Sequence, residues 1–366
     1  LQTERWSDLV DIYRRRIDLA QDQEERRDLW LRVASLYEEQ LENIDQSIVA
    51  YLTVLDEVPD DLESVHALAR IYRSEERYSD LLEMLERELS LGQADEEEQV
   101  DLHFRVATLH HRNLDSVGVA IDRYNQVLEA DPTHAGTKDA LEELLGDHDH
   151  KLAAAELLAP IYSDESNWER LIGVHELQAE DAEPRARVEL LVQVARLYED
   201  GLDDLQRAFD AYRRVLKSAT SEIDFLDHQE QFLRISRTVG RWDDYVQVLE
   251  GEVRELMASG AQMVLSLSAA EVSRDPLDAL ARARGHYRSV LETDPIHAGA
   301  LESLDALLEM QEEWRPLLEV VQRRAELADE PEERHALLTR CAVLCRDMLE
   351  DLDDAILNFE QVLVLE

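Results

Sequence analysis

Residues 119–132 read Val-Ala-Ile-Asp-Arg-Tyr-Asn-Gln-Val-Leu-Glu-Ala-Asp-Pro. A small residue, Ala120, is followed four positions later by an aromatic, Tyr124. Val127 and Leu128 come next, and Pro132 closes the stretch. The same skeleton appears as Ser47, Tyr51, Val54-Leu55 and Pro59, and again as Ala283, Tyr287, Val290-Leu291 and Pro295. Two further copies, Ala208, Tyr212, Val215-Leu216 and Ala355, Phe359, Val362-Leu363, lack only the proline. The five aromatics recur at a near-constant interval, stretched only between Tyr124 and Tyr212. On a helix these positions fall on one stripe, and proline stops the helix beyond it. The chain is therefore a repeat array, in which each unit packs on its neighbours rather than around one central core.

A second landmark runs in register with the first. Ala34, Ala107, Ala195, Ala270 and Ala342 each precede a stripe aromatic by the same interval. Trp6, Tyr78, Trp168, Trp242 and Trp314 stand upstream of these alanines at an interval that hardly varies. Each unit of about 73 residues then reads as four helices. In the first unit the expected helices are 4–21, 25–42, 45–57 and 61–74; the next four are 77–90, 95–112, 116–131 and 134–146. One step is too long. The step from Tyr78 to Trp168 exceeds the others by one helix with its loop, and 149–163 reads as that helix. The expected organisation is a first block at 1–147, an extra helix and junction at 148–165, and a second block at 166–366. The competing expectation is an insertion that leaves both flanking stacks coaxial.

The 366 residues carry a net charge of −45, from 83 acidic and 38 basic side chains. That field repels nucleic-acid phosphate and anionic membranes, and attracts basic protein surfaces. It also keeps an exposed array in solution. Only Lys138, Lys151 and Lys217 are lysine, a composition that fits a GC-rich bacterial genome. No stretch approaches the roughly 20 apolar residues of a membrane span. Cys341 and Cys345 stand one helical turn apart, poor geometry for a disulfide, and Cys345 reads as a buried thiol. A cytoplasmic location is the expectation. The chain starts at Leu1 and ends on the apolar Val362-Leu363-Val364-Leu365, so it is expected to be a piece of a longer array.

The pattern resembles the tetratricopeptide repeat, a helix–turn–helix unit of about 34 residues. Ala34-Tyr37 and Ala195-Tyr198 match its first helix; Ala120-Tyr124-Pro132 and Ala283-Tyr287-Pro295 match its second. The chain departs from the family in alternating two kinds of repeat, and in placing His110, Ser273 and Cys345 where the first-helix aromatic stands. The resemblance covers essentially the whole chain. It implies an all-α, right-handed α-solenoid of antiparallel helix pairs, about 20 helices in all.

Standard catalytic signatures are missing. The 11 glycines make no Gly-x-Gly-x-x-Gly and no phosphate-binding Gly-Lys-Ser/Thr. There is no Gly-x-Ser-x-Gly elbow and no His-Glu-x-x-His. His148-Asp149-His150 is the best metal candidate, and reads rather as the polar loop before a helix. His134 and His297 share one repeat position after Asp-Pro, which points to structure. The pairs Asp60-Asp61, Asp203-Asp204 and Asp353-Asp354 read as helix caps. No catalytic residue, metal or cofactor is expected, and the chain is not expected to be an enzyme.

In the resembled family the first helices line a concave face that holds partner segments. The lining positions carried over are Leu31, Ser35, His66, Arg70, Arg73, Phe104, Thr108, His111 and Arg112 in the first block. In the second they are Glu189, Val192, Arg196, Glu199, Asp200, Leu267, Glu271 and Arg274. The first set is mildly basic. The expectation is a protein-interaction scaffold gripping an acidic segment through Arg70, Arg73 and Arg112, with Phe104 as an apolar contact. The competing expectation is that these arginines pair with glutamates one turn away on the scaffold. The family's chaperone-tail clamp is not expected, because its Lys and Asn positions hold Leu31, Ser35, His66 and Arg70. Two other roles stay open: a regulatory arm of a larger enzyme, and self-association through the array ends.

Overall fold

A computed structural model describes residues 2–219, 222–253 and 259–365. The described residues are helices and turns, with no strand among them. The chain divides into two compact units, Leu1–Leu177 and Gln178–Glu366.

The first unit begins with α1 (Gln2–Leu19), α2 (Gln23–Glu39), α3 (Ile44–Glu57), α4 (Leu62–Ser74) and α5 (Tyr78–Leu91). It continues with α6 (Glu96–Arg112), α7 (Val117–Ala130), α8 (Ala135–Leu144), α9 (Lys151–Asp164) and the start of α10 (Trp168–Asp181). The second unit holds α11 (Pro184–Arg196), α12 (Leu205–Ser218), α13 (Glu222–Val239), α14 (Trp242–Val253) and α15 (Ser259–Arg274). It ends with α16 (Leu280–Thr293), α17 (Ala298–Met310), α18 (Trp314–Leu327), α19 (Pro331–Asp347) and α20 (Leu352–Leu365). The 20 α-helices among the described residues match the expected number. From α1 to α9 and from α11 to α20, helices next in sequence pack on one another, as an α-solenoid requires.

The repeated stripe is the core. Tyr51, Tyr124, Tyr212 and Tyr287 are buried, as are Val54, Val127, Val215, Val290 and Val362. The five alanines of the first helices, Ala34, Ala107, Ala195, Ala270 and Ala342, are wholly shielded from solvent. Ser47 on α3 shows why small residues stand opposite them: its Oγ donates to the Ala34 carbonyl of α2 at 3.0 Å. Helices that approach this closely have room for one large side chain per turn, and the aromatic fills it. Each such ring contributes roughly 1.5–3 kcal/mol by burial.

The hairpin turns repeat as faithfully as the core. After α2, α6, α11, α15 and α19 the chain passes through a left-handed residue: Glu42, Asp115, Asp203, Asp278 and Glu350. The next N–H closes the turn onto the helix end, as in Asn43 to the Tyr37 carbonyl at 2.8 Å and Asp351 to the Cys345 carbonyl at 2.8 Å. A second series, Glu76, Ser166, Gly240 and Glu312, follows α4, α9, α13 and α17. Arg77 to Tyr72 at 2.9 Å and Asn167 to Tyr162 at 2.8 Å are its turn bonds. These bonds satisfy helix-end carbonyls. In the second unit a short π-turn, Leu197–Gly201, precedes one of these hairpin turns.

Two of the three acid pairs expected at helix starts supply a cap. Asp61 accepts from the Ser64 N–H at the start of α4, and Asp204 from the Arg207 N–H at the start of α12. His134 and His297 hold the position of Asp61 and cap α8 and α17 through Nδ1. Asp353 and Asp354 lie in the first turn of α20, while Asp351 caps it. Cys341 and Cys345 are both buried free thiols.

The long step places an additional helix in the first unit. α7, α8 and α9 start at Val117, Ala135 and Lys151, each one full repeat interval after the starts of α3, α4 and α5. In that register α9 stands where α5 stands. Yet α9 ends as α4 does, with the same turn bond onto a buried tyrosine, Tyr162 for Tyr72. One helix therefore carries both patterns, and the aromatic that normally follows α4 is postponed to Trp168 on α10.

Candidate functional site

A cleft of about 930 Å³ opens in the first unit between α4 and α6. One wall carries the cations Arg70 and Arg73, which follow His66 at helical spacing along α4. The other wall is mostly anionic, with Glu97, Glu98 and Asp101 on α6 and Arg105 one turn further on. Glu88 at the end of α5 and the turn Gln93-Ala94-Asp95 complete the lining. Ala69 and Leu102 supply a small apolar base.

The expected site residues divide into three groups. His66, Arg70 and Arg73 come together in this cleft. Arg70 is anchored by Glu38 on α2, with Nη2 at 2.9 Å from Oε2, and its pKa is raised by that hydrogen bond. His66 Nε2 lies 2.7 Å from Glu88 Oε1. Arg73 is exposed and has no ion pair among the described residues.

Phe104, Thr108, His111 and Arg112 lie further along α6 and do not line the cleft. Phe104 packs its ring against His134, with centroids 4.7 Å apart, and against the backbone at Gly136. Thr108 Oγ1 donates to the Phe104 carbonyl at 2.8 Å. His111 Nδ1 is 3.3 Å from the Tyr124 hydroxyl, and burial lowers its pKa. Arg112 Nη2 bonds both carboxylate oxygens of Glu143 on α8, at 3.1 and 3.0 Å.

Arg196 belongs to the second unit. It lines a smaller groove of about 320 Å³ with Val192, Glu199, Asp200, Tyr212, His228, Gln231 and Arg234. Arg234 Nη2 donates to Glu199 at 2.7 Å, and this bond holds the Glu199 carboxyl below the usual carboxylate range.

Arg70 and Arg112 do pair with scaffold glutamates, but across neighbouring first helices rather than one turn along the same helix, while Arg73 pairs with none among the described residues. The lining is also less basic than the residues singled out from sequence. Glu97, Glu98 and Asp101 were missed, although a helical stripe drawn back from Thr108 and Phe104 leads through Asp101 and Glu97. Glu88 was missed because it comes from a second-type helix.

The loop at His148-Asp149-His150 turns between α8 and α9. His150 Nδ1 is 3.2 Å from Asp147 Oδ1, and His148 is almost fully exposed. No group of three or more His, Cys, Asp or Glu is placed to hold a metal ion among the described residues. No described helix is long and apolar enough to cross a membrane.

A recurring contact links the stripe tyrosines to the first-helix surface. The Tyr51 hydroxyl lies 3.5 Å from Glu38, Tyr212 donates to Glu199 at 3.3 Å, and Arg274 donates to Tyr287 at 3.3 Å. Burial, with Glu38 second, pushes Tyr51 up to about 12. Tyr51 therefore stays protonated at neutral pH, and the stripe tyrosines position the polar residues beside them.

Comparison with known proteins finds one local family similarity. A search of curated proteins gives no match. Among solved structures, one similar chain comes from "Structure of Naa15/Naa10 bound to HypK-THB", at 14% identity and a TM-score of 0.25. The alignment covers 91% of this chain and 57% of that one, so this chain spans a little over half of its length. The family model of the tetratricopeptide repeat matches residues 64–99, which contain most of α4, all of α5 and the opening of α6. The matched stretch forms the α4–α5 hairpin and the turn that lines the cleft, and over these residues the chain is similar to the tetratricopeptide repeat.

Proposed function

We propose that the chain is a non-catalytic scaffold that holds a segment of a partner protein in the α4–α6 cleft. The observation that carries this reading is a missing cross-link. Neighbouring first helices are tied by side chains elsewhere in both units: α2 to α4 by Arg70–Glu38, and α6 to α8 by Arg112–Glu143. In the second unit Arg234–Glu199, Gln229–Ser268, Arg274–Ser303 and Arg340–Glu309 do the same. Between α4 and α6 no such bond exists among the described residues, and there the 930 Å³ cleft opens. Arg73 offers an unengaged cation on one wall; Glu97 and Asp101 offer carboxylates on the other. A segment carrying both an acidic and a basic side chain fits such walls. The net charge of −45 disfavours nucleic acid as the occupant.

Affinity capture from native lysate, with Arg73→Glu and Asp101→Arg in parallel, tests this. A partner held by the wild type and lost in both variants is the expected result. Retention of every captured partner by both variants would refute the site.

A further inference from the structure

A second cavity, sharing no lining residue with the α4–α6 cleft, lies at the end of α7 against α9. Its volume is about 310 Å³, at the lower end for a ligand pocket and suited to one side chain. Leu128, Pro132, Leu157, Pro160 and Ile161 form its apolar walls, and the exposed acids Glu129, Asp164 and Glu165 border it.

At the corresponding place one repeat earlier an arginine side chain is seated. Leu55, Pro59 and Arg87 are the counterparts of Leu128, Pro132 and Pro160, in the register set by the helix starts. Pro59 has no N–H, so the Leu55 carbonyl loses its helical partner. Arg87 replaces that partner: its guanidinium donates to the Pro59 carbonyl at 3.1 and 2.9 Å and to the Leu55 carbonyl at 3.4 Å. In the later copy Pro132 again removes the donor to the carbonyl four residues back, on Leu128. The arginine, however, has become Pro160. No side chain among the described residues donates to the Leu128 or Pro132 carbonyl. Glu165 is engaged by Lys138 and Glu129 by Asn125, while Asp164 carries no ion pair among the described residues.

We infer that this cavity receives an arginine side chain from a partner polypeptide. The guanidinium donates to the Leu128 and Pro132 carbonyls, as Arg87 does to theirs, and pairs with Asp164. The methylene stem lies along Leu128, Leu157 and Ile161. Lysine is the poorer occupant, because its single ammonium cannot present a planar fork to two carbonyls and a carboxylate. An acidic border favours a cationic guest over a plain aliphatic one.

The probe is the tripeptide acetyl-Gly-Arg-Gly-amide, titrated into the full chain with methyl-labelled leucine and followed by NMR. The expected result is saturable shifts of the Leu128 and Leu157 methyls. The citrulline tripeptide, equal in shape but uncharged, should bind at least about tenfold more weakly, as loss of charge-assisted bonds implies. Pro160→Arg should fill the cavity from within and abolish the shifts, and Pro160→Ala should retain them. Absence of saturable shifts, equal binding of citrulline and arginine, or undiminished binding by folded Pro160→Arg would each overturn the inference. The citrulline comparison uses the unaltered chain and stands even if a variant fails to fold.

Discussion

Arg70 on α4 grips Glu38 on α2 with both terminal guanidinium nitrogens, and Glu38 in turn sits 3.5 Å from the Tyr51 hydroxyl. The arginine thus ties two first helices together and cannot be read as a free binding cation. Arg70 is 62% exposed at its side chain, so solvent screens much of the pair's energy. Arg70→Glu should place two carboxylates against each other and lower stability by about 1 kcal/mol in urea unfolding. Arg73→Glu should change stability by less than about 0.5 kcal/mol. The contrast separates a scaffold effect from a binding effect: a partner lost only in Arg70→Glu would reflect the fold, whereas one lost in Arg73→Glu would reflect contact.

Asp61 governs a pH window. It is buried, which pushes its pKa up, but hydrogen bonds from Ser64 and from the Arg27 guanidinium outweigh that and hold it below the ordinary carboxylate value. Glu250 is likewise lowered, first by its hydrogen bond from Arg282 at 2.7 Å. A depressed folded-state pKa means stability that is fully present above the unfolded value, near 3.9 to 4.3, and lost as pH falls through the folded value. Thermal melts should therefore be flat from neutral pH down to about 5 with respect to these groups, then decline through about pH 4 and below. Asp61→Ala should cost about 2 kcal/mol at pH 7, as a lost cap plus an unpaired Arg27, with the difference from wild type shrinking as pH falls. An unchanged difference at pH 3 would show that the cap's charge is not what stabilises.

Much of this was legible in the sequence, for a physical reason. Tyr124, Ala107 and Val127 are inside because close helix contact admits only certain volumes at certain spacings, and that constraint is written residue by residue. Caps were legible for the same reason: Asp61 and Asp204 act on N–H groups one turn away. The α4–α6 cleft was legible only in part. His66, Arg70 and Arg73 share one helix stripe, but the opposing wall depends on which helix faces α4, and Glu88 comes from the helix between them. The pairing of Arg112 with Glu143 reaches past a whole intervening helix, so no local pattern announces it. The doubled register of α9 could be seen as a surplus length, but not as a helix that starts like α5 and ends like α4.

The left-handed turns make a paired prediction about glycine. Gly240 sits at φ 73°, where a side chain meets no neighbour but the backbone itself is strained for an L residue. Gly240→Ala should cost about 1 kcal/mol. Gly285 lies inside α16 with open space around its Cα, so Gly285→Ala should add about 0.5–1 kcal/mol. Chemical denaturation of the two variants should move in opposite directions. The non-glycine residues that already adopt positive φ, Glu76 among them, show that the turn tolerates this strain when the turn bonds and the helix packing fix it.

The contact between Ser47 and Ala34 allows the most direct test of what the repeat is for. Ser47 is fully buried, and its Oγ hydrogen bond to the Ala34 carbonyl is a small addition to a contact whose main feature is closeness. Ser47→Ala keeps the approach and removes one donor; the carbonyl retains its helical bond, so the loss should stay near or below about 1 kcal/mol. Ser47→Leu adds volume where α2 and α3 touch, and should cost at least about 3 kcal/mol, because the helices must separate along their whole contact. Ala120→Leu, at the matching place between α6 and α7, should behave like Ser47→Leu, since Ala120 is just as completely enclosed. If Ser47→Ala proved as damaging as Ser47→Leu, the hydrogen bond rather than the spacing would define the repeat, and the alanines at the other four copies would have no account.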